Sequence, residues 1–170
     1  MTENIELKIL TEKDINTDVL NWYLDKEVTK FSDNQYRKFT LESQKQYIMD
    51  CNATDSKFLY GIFFDKTYIG NMLISNISKN HNTAEISYFI GNRKYWGKGI
   101  MTTVIKMVID ISKDFLKINK LYAGVASENY SSIKALEKNN FIKEGNRIQH
   151  LYYNFKYYDQ IDYGLILNLK

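Results

Sequence analysis

The part of the sequence best suited to chemistry is a glycine-containing turn, residues 90–101, between a predicted strand and a predicted long helix. Gly97 and Gly99 let the backbone approach a ligand closely, and the first N–H groups of a helix have no partners inside it. With the positive end of the helix dipole, these groups predict a site for an anion such as a pyrophosphate. Lys94 and Lys98 add positive charge at the same place.

The spacing within this turn excludes two common phosphate-binding motifs. The turn lacks the G-x-x-x-x-G-K-[ST] pattern of a P-loop and the third glycine of the dinucleotide fingerprint. Taken alone, a G-x-G turn is equally compatible with a purely structural role. The elements on either side of the turn are therefore needed to distinguish a ligand site from a structural turn.

Hydrophobic periodicity predicts the elements on either side of the turn. Apolar residues recur at helical spacing from Gly99 to Phe115, and a strand is predicted from Ala84 to Gly91, after the polar loop 79–82. Alternation with period two predicts the first strand at residues 5–9. We expect a capping box at Thr11 and Asp14 to open the first helix, and Thr40 to begin the second.

The predicted order of elements is β-α-α-β-β-β-α-β-α-β-β within a single domain spanning residues 1–170. This order describes a mixed α/β (α+β) fold, in which a long antiparallel meander leads into a βαβ unit. The other predicted elements are a hairpin with strands 58–64 and 68–77, a strand 121–125, a helix 131–139 and a Tyr-rich hairpin around residues 157–159.

Composition narrows the classes of function. The 170 residues carry 23 Lys and Arg against 20 Asp and Glu, a net charge of +3, without a basic block that would indicate nucleic-acid binding. One cysteine and two histidines exclude a Cys/His zinc site, and we expect no metal. No apolar run approaches the ~20 residues of a membrane span, and the polar N-terminus is unlike a signal peptide. We therefore expect a cytoplasmic protein without a membrane partner.

Two segments resemble motifs of the GNAT superfamily of acetyl-CoA-dependent N-acetyltransferases. Residues 94–99, Lys-Tyr-Trp-Gly-Lys-Gly, are similar to motif A, usually [QR]-x-x-G-x-[GA], with Lys94 in place of Gln or Arg. Residues 128–141 are similar to motif B, N-x-x-[AS] followed by [YL]-E-K-x-G-F. Asn140 stands where glycine is usual, and we expect it to form a left-handed helix cap.

The resemblance covers nearly the whole chain. Residues 21–30 and 39–43 are similar to a branch that includes ribosomal-protein N-terminal acetyltransferases and acetyltransferases of surface-sugar gene clusters. The resemblance implies a central, mostly antiparallel mixed sheet flanked by about four helices. It also implies direct transfer of acetyl from acetyl-CoA to an amine, without an acyl-enzyme.

The resemblance further implies where acetyl-CoA binds. The acetyl carbonyl would accept a hydrogen bond from the backbone N–H of Phe89 or Ile90, and the pantetheine arm would pair with residues 88–91 like an extra strand. The pyrophosphate would lie on residues 97–102, and Asn129 would hold the arm. The implied cofactor-binding residues are Tyr88, Phe89, Ile90, Gly91, Lys94, Tyr95, Trp96, Gly97, Lys98, Gly99, Ile100, Met101, Thr102, Asn129 and Ser132.

The groups that would move protons depart from the family pattern. Leu136 occupies the position of the tyrosine that usually protonates the departing thiolate, and Ser132 resembles the serine near the thiol in the ribosomal-protein branch. Glu85, on the strand leading to the acetyl site, is the preferred general base through a water, with a merely exposed or capped carboxylate as the alternative. His150 is a candidate base beside the acceptor cleft. We expect His81 to be solvated in its polar loop and Cys51 to have no role in catalysis.

The acceptor pocket has the weakest sequence signal. Aromatic rings there can stack on a sugar or a base, and Arg37 could bind a phosphate; burial of the same rings as loop anchors is the equally weighted alternative. The favoured acceptor is an amino-sugar nucleotide. A protein N-terminus or a small amine, and a non-catalytic acyl-CoA-binding module, stay open, as does a monomer or a homodimer. The expected pocket residues are Phe31, Asp33, Tyr36, Arg37, Phe39, His150, Tyr152, Tyr157 and Tyr158.

Overall fold

Seven strands form one sheet in the computed structural model, which describes residues 4–167. The strands are β1 (Ile5–Ile9), β2 (Phe58–Phe64), β3 (Thr67–Ser78), β4 (Thr83–Ile90), β5 (Lys120–Ala126), β6 (Ile142–Tyr153) and β7 (Lys156–Ile166). The α-helices are α1 (Thr17–Leu24), α2 (Leu41–Asn52), α3 (Ile100–Asp114) and α4 (Tyr130–Glu137). The predicted order of elements and the mixed, mostly antiparallel sheet are confirmed.

The order of strands in the sheet is β1-β2-β3-β4-β5-β7-β6. The pair β4–β5 is parallel, and the other neighbouring strands pair antiparallel. A parallel pair needs a long crossover connection, and α3 supplies it between β4 and β5. The glycine turn therefore lies where β4 leaves the sheet and α3 begins.

The apolar stripe of α3 packs on one face of the sheet. Val104, Ile105 and Val108 are fully buried there, at the spacing of three and four residues that the sequence predicts for a helix with one buried face. Leu121 of β5 and Leu136 of α4 belong to the same cluster. This packing fixes the start of α3 relative to β4 and α4.

The opposite face of the sheet carries α1 and α2. Val19 of α1 and Ile48 of α2 pack in a separate buried cluster that also contains Leu10, Cys51 and Leu59. Tyr23, near the end of α1, contacts Phe89 of β4 edge-on with 5.7 Å between centroids, so the end of α1 lies on the middle strand of the sheet. Within the described residues 4–167, no helix is long and apolar enough to cross a membrane.

The start of the first helix was predicted at the wrong residue. Thr11 and Asp14 do form a capping box, but it closes a 3-10 turn, Glu12–Asp14. The backbone is extended again at Ile15, and α1 begins at Thr17, where Asn16 accepts the N–H of Val19. The capping box is therefore present, but it caps a separate 3-10 turn and not α1. The second start is confirmed, since Thr40 caps α2 by accepting the N–H of Ser43 at 3.1 Å.

The C-terminal hairpin was predicted correctly, but its turn was placed too late. Asn154 and Phe155 form the turn with φ values of 50° and 62°, and residues 157–159 lie within β7. A phenylalanine seldom adopts positive φ, so its sequence gave little sign of a turn. The correction places Tyr152 and Tyr157 directly opposite each other across the hairpin.

Candidate active site

The sheet opens between β4 and β5. These strands pair over three residues, from Thr83 opposite Lys120 to Glu85 opposite Tyr122, while β4 continues alongside β3 as far as Ile90. Beyond Glu85 the edge of β4 that faces β5 is therefore without a neighbouring strand among the described residues. Such an edge presents backbone N–H and C=O groups to a ligand that can pair like a strand.

The register of β4 decides which backbone groups face this opening. Gly91 donates its N–H to Ile69 O of the preceding hairpin strand at 2.9 Å. Successive residues of a strand direct their backbone groups to opposite edges. The N–H groups of Tyr88 and Ile90 are thus directed to the opening, and that of Phe89 toward β3. Of the two predicted donors to an acetyl carbonyl, the register favours Ile90.

The glycine turn leaves open space above the start of α3. Gly97 and Gly99 have φ values of 73° and 74°, and a Cβ added to either would meet no atom within 4 Å. The hydrogen-bond ladder of α3 begins with Thr103 N, which donates to Gly99 O at 3.3 Å. The N–H groups of residues 100–102 come before that ladder, as at any helix start. We call this turn, with its open space beside the N–H groups of a helix start, the cradle; such a helix start favours an anion.

Three side chains hold the turn in place. Trp96 Nε1 donates to Ile90 O at 2.8 Å, which joins the turn to the end of β4. Arg93 lies 5.5 Å from the Trp96 ring and pairs with Asp25 after α1 at 3.4 Å. Tyr95 packs on the ring of Phe64, 5.4 Å between centroids. Lys94 and Lys98 are exposed, as a role beside a phosphate requires.

The start of α4 forms the other side of the opening. Asn129 caps this helix, its Oδ1 accepting the N–H of Ser132 at 3.4 Å and the hydroxyl of Ser131 at 3.0 Å. The Oδ1 of Asn129 is thus engaged within the helix cap. The left-handed cap predicted at Asn140 is confirmed, with φ of 63°.

A buried amide links α3 to α4. The side-chain Nδ2 of Asn139 donates to Thr102 O and to Ala135 O, both at 2.9 Å. The sequence analysis counted this residue only as part of a helix stop signal. The two bonds hold the first turn of α3 against α4 and so join the cradle to the opposite side of the opening.

The position of the missing tyrosine offers no acid. Leu136 is fully buried in the core. Ser132, one turn earlier in α4, carries a hydroxyl whose Oγ lies 2.8 Å from the hydroxyl oxygen of Tyr88. Burial raises the pKa of Tyr88 to about 12, an effect that the bond to Ser132 partly offsets. The sequence analysis gave Tyr88 only a backbone role, because a contact between residues 44 apart leaves no local pattern.

Glu85 lies at the closed end of the opening. Its Oε2 accepts a hydrogen bond from Asn76 Nδ2 at 2.6 Å, so the capped state that was the alternative interpretation is present. Phe89 follows Glu85 by four positions, which is about 13 Å along a strand. Ser87 lies between them, exposed on the same face. A proton would reach Glu85 from the acetyl site only through a short chain of waters.

The other candidate bases are not joined to this opening. His81 lies exposed in the loop between β3 and β4, and His150 is exposed in an irregular part of the edge strand β6. Cys51 lies on the buried face of α2 and is 2% exposed. Among residues 4–167, no group of three or more His, Cys, Asp or Glu side chains could hold a metal ion.

The predicted pocket loop docks on the C-terminal hairpin. We call residues 30–37 together with residues 152–158 the acceptor wall. Tyr36 donates its hydroxyl to Tyr152 O, and the Tyr153 hydroxyl donates to Asp33 Oδ1 at 3.1 Å. Asn154 adds bonds to Gln35 Oε1 and Lys30 O. Tyr153 and Asn154, which fasten the loop together with Tyr36, were not predicted from the sequence.

Several of the predicted pocket aromatics are anchors instead. Phe31 packs edge-on against buried Tyr158 with 5.5 Å between centroids, and Phe39 stacks on Tyr23 at 4.1 Å. The alternative interpretation, burial of rings to hold the loop, thus describes both pairs.

The exposed tyrosines of the acceptor wall are Tyr36, Tyr152 and Tyr157, and the last two rings lie 4.7 Å apart. Arg37 is also exposed. Its positive charge opposes the rise that burial causes in the pKa of the Tyr47 hydroxyl on α2.

The fold, the opening and the cradle agree with a sequence comparison that identifies the family. The profile of the acetyltransferase (GNAT) domain matches residues 4–142. The chain belongs to this family of N-acetyltransferases, and acetyl-CoA is the acetyl donor that the family uses.

Three known proteins illustrate the likeness. The "Probable N-acetyltransferase YjcK" of Bacillus subtilis (strain 168) is 34% identical over 113 residues, which are 63% of this chain and 62%, less than two thirds, of that protein. The "Putative ribosomal N-acetyltransferase YdaF" of the same strain is 25% identical over 98% of this chain and 93% of its own. The spermidine N-acetyltransferase of Vibrio cholerae, solved with CoA and spermine, has a TM-score of 0.86 at 20% identity, covering 97% of this chain and 96% of that one.

Proposed function

We propose that this chain transfers acetyl from acetyl-CoA directly to the primary amine of an amino-sugar nucleotide. The observation that carries the acceptor class is the acceptor wall, a set of exposed tyrosine rings beside the opening in the sheet that binds the acetyl donor. Rings of this kind stack on the face of a sugar or a base. A protein N-terminus is the alternative acceptor within the same chemistry.

The acetyl donor occupies the opening and the cradle. The pantetheine arm pairs with the edge of β4 at Tyr88–Ile90, and the pyrophosphate lies against Gly97, Gly99 and the N–H groups that begin α3. Lys94 and Lys98 add charge there. The fit rests on the empty space above both glycines and on the helix start that faces it.

Catalysis comes mainly from position and from polarisation of the thioester. The Ile90 N–H donates to the acetyl oxygen and stabilises the charge that develops on it during attack. Ser132 lies where the sulfur departs. Held by the wall on one side and the opening on the other, the two reactants meet in attack geometry, which supplies much of the rate.

The position of Glu85, remote from the acetyl site, favours an acceptor amine that is already partly neutral. Glu85 is bonded to Asn76 and reaches the acetyl site only through waters. An α-amine, with a pKa near ~7.7–8.0, is substantially neutral at pH 7, whereas a lysine amine near ~10.4 is not. Amino sugars and protein N-termini therefore suit this site better than a fully charged aliphatic amine.

The carboxylates near the wall do not form an acidic pocket. Glu128 pairs with Lys156 of the hairpin at 2.5 Å, and Asp25 pairs with Arg93 at 3.4 Å. Asp33 accepts the Tyr153 hydroxyl. A polyamine, with several positive charges, needs unpaired carboxylates, so these pairs argue against spermidine although a structural neighbour takes it.

The likeness to a putative ribosomal N-acetyltransferase over 98% of the chain favours the alternative acceptor. A protein N-terminus carries an amine of the same low pKa, and its backbone could lie along the exposed tyrosines. The two candidates differ in what the acceptor wall binds, a sugar nucleotide or a peptide.

The test measures release of free CoA thiol from acetyl-CoA with a panel of amines. The panel contains a UDP-linked amino-dideoxysugar, spermidine and a peptide with an N-terminal alanine. We expect kcat/KM for the sugar nucleotide to exceed that for spermidine at least tenfold. A preference for the peptide would establish the alternative, and a preference for spermidine would overturn the argument from paired carboxylates. Thermal stabilisation by acetyl-CoA is the control for an intact donor site.

A further inference from the structure

The side chain of Tyr88 has no part in the chemistry proposed so far. It stands on β4, on the face shared with Ile86 and Ile90, and it packs against the core formed with α3 and α4. Its hydroxyl oxygen lies 2.8 Å from Ser132 Oγ in the first turn of α4. This hydrogen bond joins the two sides of the opening, directly beside the place proposed for the thioester.

Either hydroxyl can donate in this bond, because each carries one proton and two lone pairs. The two directions differ in what they leave available at Ser132. When Tyr88 donates to Ser132 Oγ, the proton of Ser132 stays available for another acceptor. Asn129 fixes the backbone of Ser132 by accepting its N–H, so the side chain starts from a defined position.

We propose that Tyr88 is a positioning residue for thiolate departure, because its hydroxyl donates to Ser132 Oγ and so directs the Ser132 O–H toward the sulfur of CoA. The inference rests on the proposed placement of the thioester in the opening between β4 and β5. It gives the tyrosine side chain a role separate from the backbone pairing of the same residue.

The step balances without proton transfer from either hydroxyl. The amine nitrogen forms the new bond to the acetyl carbon, and the C–S bond breaks with its electron pair left on sulfur. The attacking nitrogen releases its proton through water to Glu85. The thiolate, which accepts the Ser132 hydrogen bond, takes its proton from water. Burial raises the pKa of Tyr88 to about 12. Donation of its proton to a thiolate with a pKa near ~8.5 would be unfavourable by about three-thousandfold, so a hydrogen bond suffices where an acid does not.

The pair also accounts for the leucine at position 136. Leu136 is fully buried and carries no group that could contact sulfur. The hydroxyl of Ser132 approaches the same region from one turn earlier in α4, and Tyr88 fixes it from the opposite strand. Two hydroxyls from two elements thus take over the contact that a single tyrosine would make.

The experiment measures the thiol pKa of bound CoA, which does not require an acceptor. CoA labelled with ¹³C next to sulfur is bound to wild type, Tyr88→Phe, Ser132→Ala and the double variant, and its NMR shift is followed with pH. We expect the thiol pKa in the wild type to lie about one unit below that of free CoA, equivalent to a tenfold preference for thiolate. Ser132→Ala should return it to the free value, and Tyr88→Phe should remove most of the shift.

The double variant separates positioning from packing. If Tyr88 acts through Ser132, the double variant matches Ser132→Ala in thiol pKa, and kcat with the best amine of the panel falls about tenfold in Tyr88→Phe without a change in KM for acetyl-CoA. The matched control is Tyr163→Phe, which removes a tyrosine hydroxyl bonded to Glu137 at 2.9 Å, at the other end of α4. This control should keep the wild-type thiol pKa.

Two results would overturn the inference alone: the same thiol pKa in wild type and Tyr88→Phe, or losses that add in the double variant. An equal loss in Tyr163→Phe would also overturn it, because any tyrosine bond to α4 would then serve. If wild type fails to bind CoA, the proposed placement of the donor falls first, and this inference falls with it.

Discussion

The two halves of the active site that we propose, a donor half for acetyl-CoA and the acceptor wall, are built by different means. The donor half, formed by β4 from Ile86 onward, the glycine turn and the starts of α3 and α4, consists of backbone groups fixed by regular elements. The acceptor wall consists of side chains on a loop and a hairpin tip, fastened by bonds such as Tyr153 to Asp33 between residues 120 apart. A backbone site suits a ligand shared by a family, and a side-chain wall suits a ligand that differs among its members.

This difference decides how much of the site could be predicted from the sequence. The donor half follows from local patterns, since two glycines before a helical repeat already define a cradle at a helix start. The acceptor wall depends on contacts between distant residues. Tyr153 and Asn154 leave no local signal that they will bind residues 30–35, and so the sequence named the exposed rings of the wall but missed the residues that fasten it.

The same distinction explains the errors in the fold. The capping box at Thr11 was recognised, but nothing local indicates that the chain becomes extended again at Ile15 before α1. The hairpin turn at Asn154 and Phe155 was placed late because Phe155 adopts positive φ without a glycine to signal it. The ends of a helix with a long hydrophobic repeat, such as α3, were predicted to within a residue or two.

The largest expected effect is in the donor half. Gly99→Glu places a side chain and a negative charge in the open space above the start of α3, at a residue with φ of 74°. We expect acetyl-CoA affinity to fall at least about a hundredfold, or ~2.7 kcal/mol, and thermal stabilisation by acetyl-CoA to disappear. Gly99→Lys has the same backbone strain but the opposite charge, and should bind more tightly than Gly99→Glu. Full stabilisation of Gly99→Glu would disprove the cradle.

Alkaline pH should weaken the support under the acceptor wall. Burial raises the pKa of Tyr23, which stacks on Phe39, to about 12. Because this pKa lies above the unfolded value near ~10, its contribution to stability is complete below pH ~10 and is lost as pH rises toward 12. Between pH ~10 and ~12 the unfolding free energy falls with pH, and we expect Tyr23→Phe to make this fall less steep. The difference is up to about one proton released on unfolding, which is about tenfold in the unfolding constant per pH unit.

The control for this pH effect is Phe39→Leu, which weakens the same stack without removing an ionisable group. Chemical denaturation at several pH values from 9 to 12 gives the slope for each variant. Phe39→Leu should lower stability at every pH and keep the wild-type slope. An unchanged slope in Tyr23→Phe would show that the hydroxyl of Tyr23 ionises equally in the folded and unfolded chains.

A smaller effect is expected from loosening the acceptor wall. Asp33→Ala removes the acceptor of the Tyr153 hydroxyl bond and leaves that hydroxyl to find another partner. We expect KM for the best amine of the panel to rise about three- to tenfold, while KM for acetyl-CoA stays within twofold. Steady-state kinetics with both substrates varied tests this. Equal losses for the two substrates would mean that the halves are coupled and the comparison between them is wrong.

The smallest expected effect concerns a single exposed ring. Tyr157→Ala removes one of two rings that lie 4.7 Å apart at the hairpin tip, and leaves the bonds that fasten the loop intact. We expect KM to rise two- to threefold for a sugar nucleotide, because Tyr152 still offers a stacking face, and Tyr157→Phe should restore it. Inhibition of the transfer by free UDP should weaken in parallel only if the ring contacts the nucleotide. A change in KM for the peptide but not for the sugar nucleotide would move this ring, and the acceptor wall with it, to recognition of a protein N-terminus.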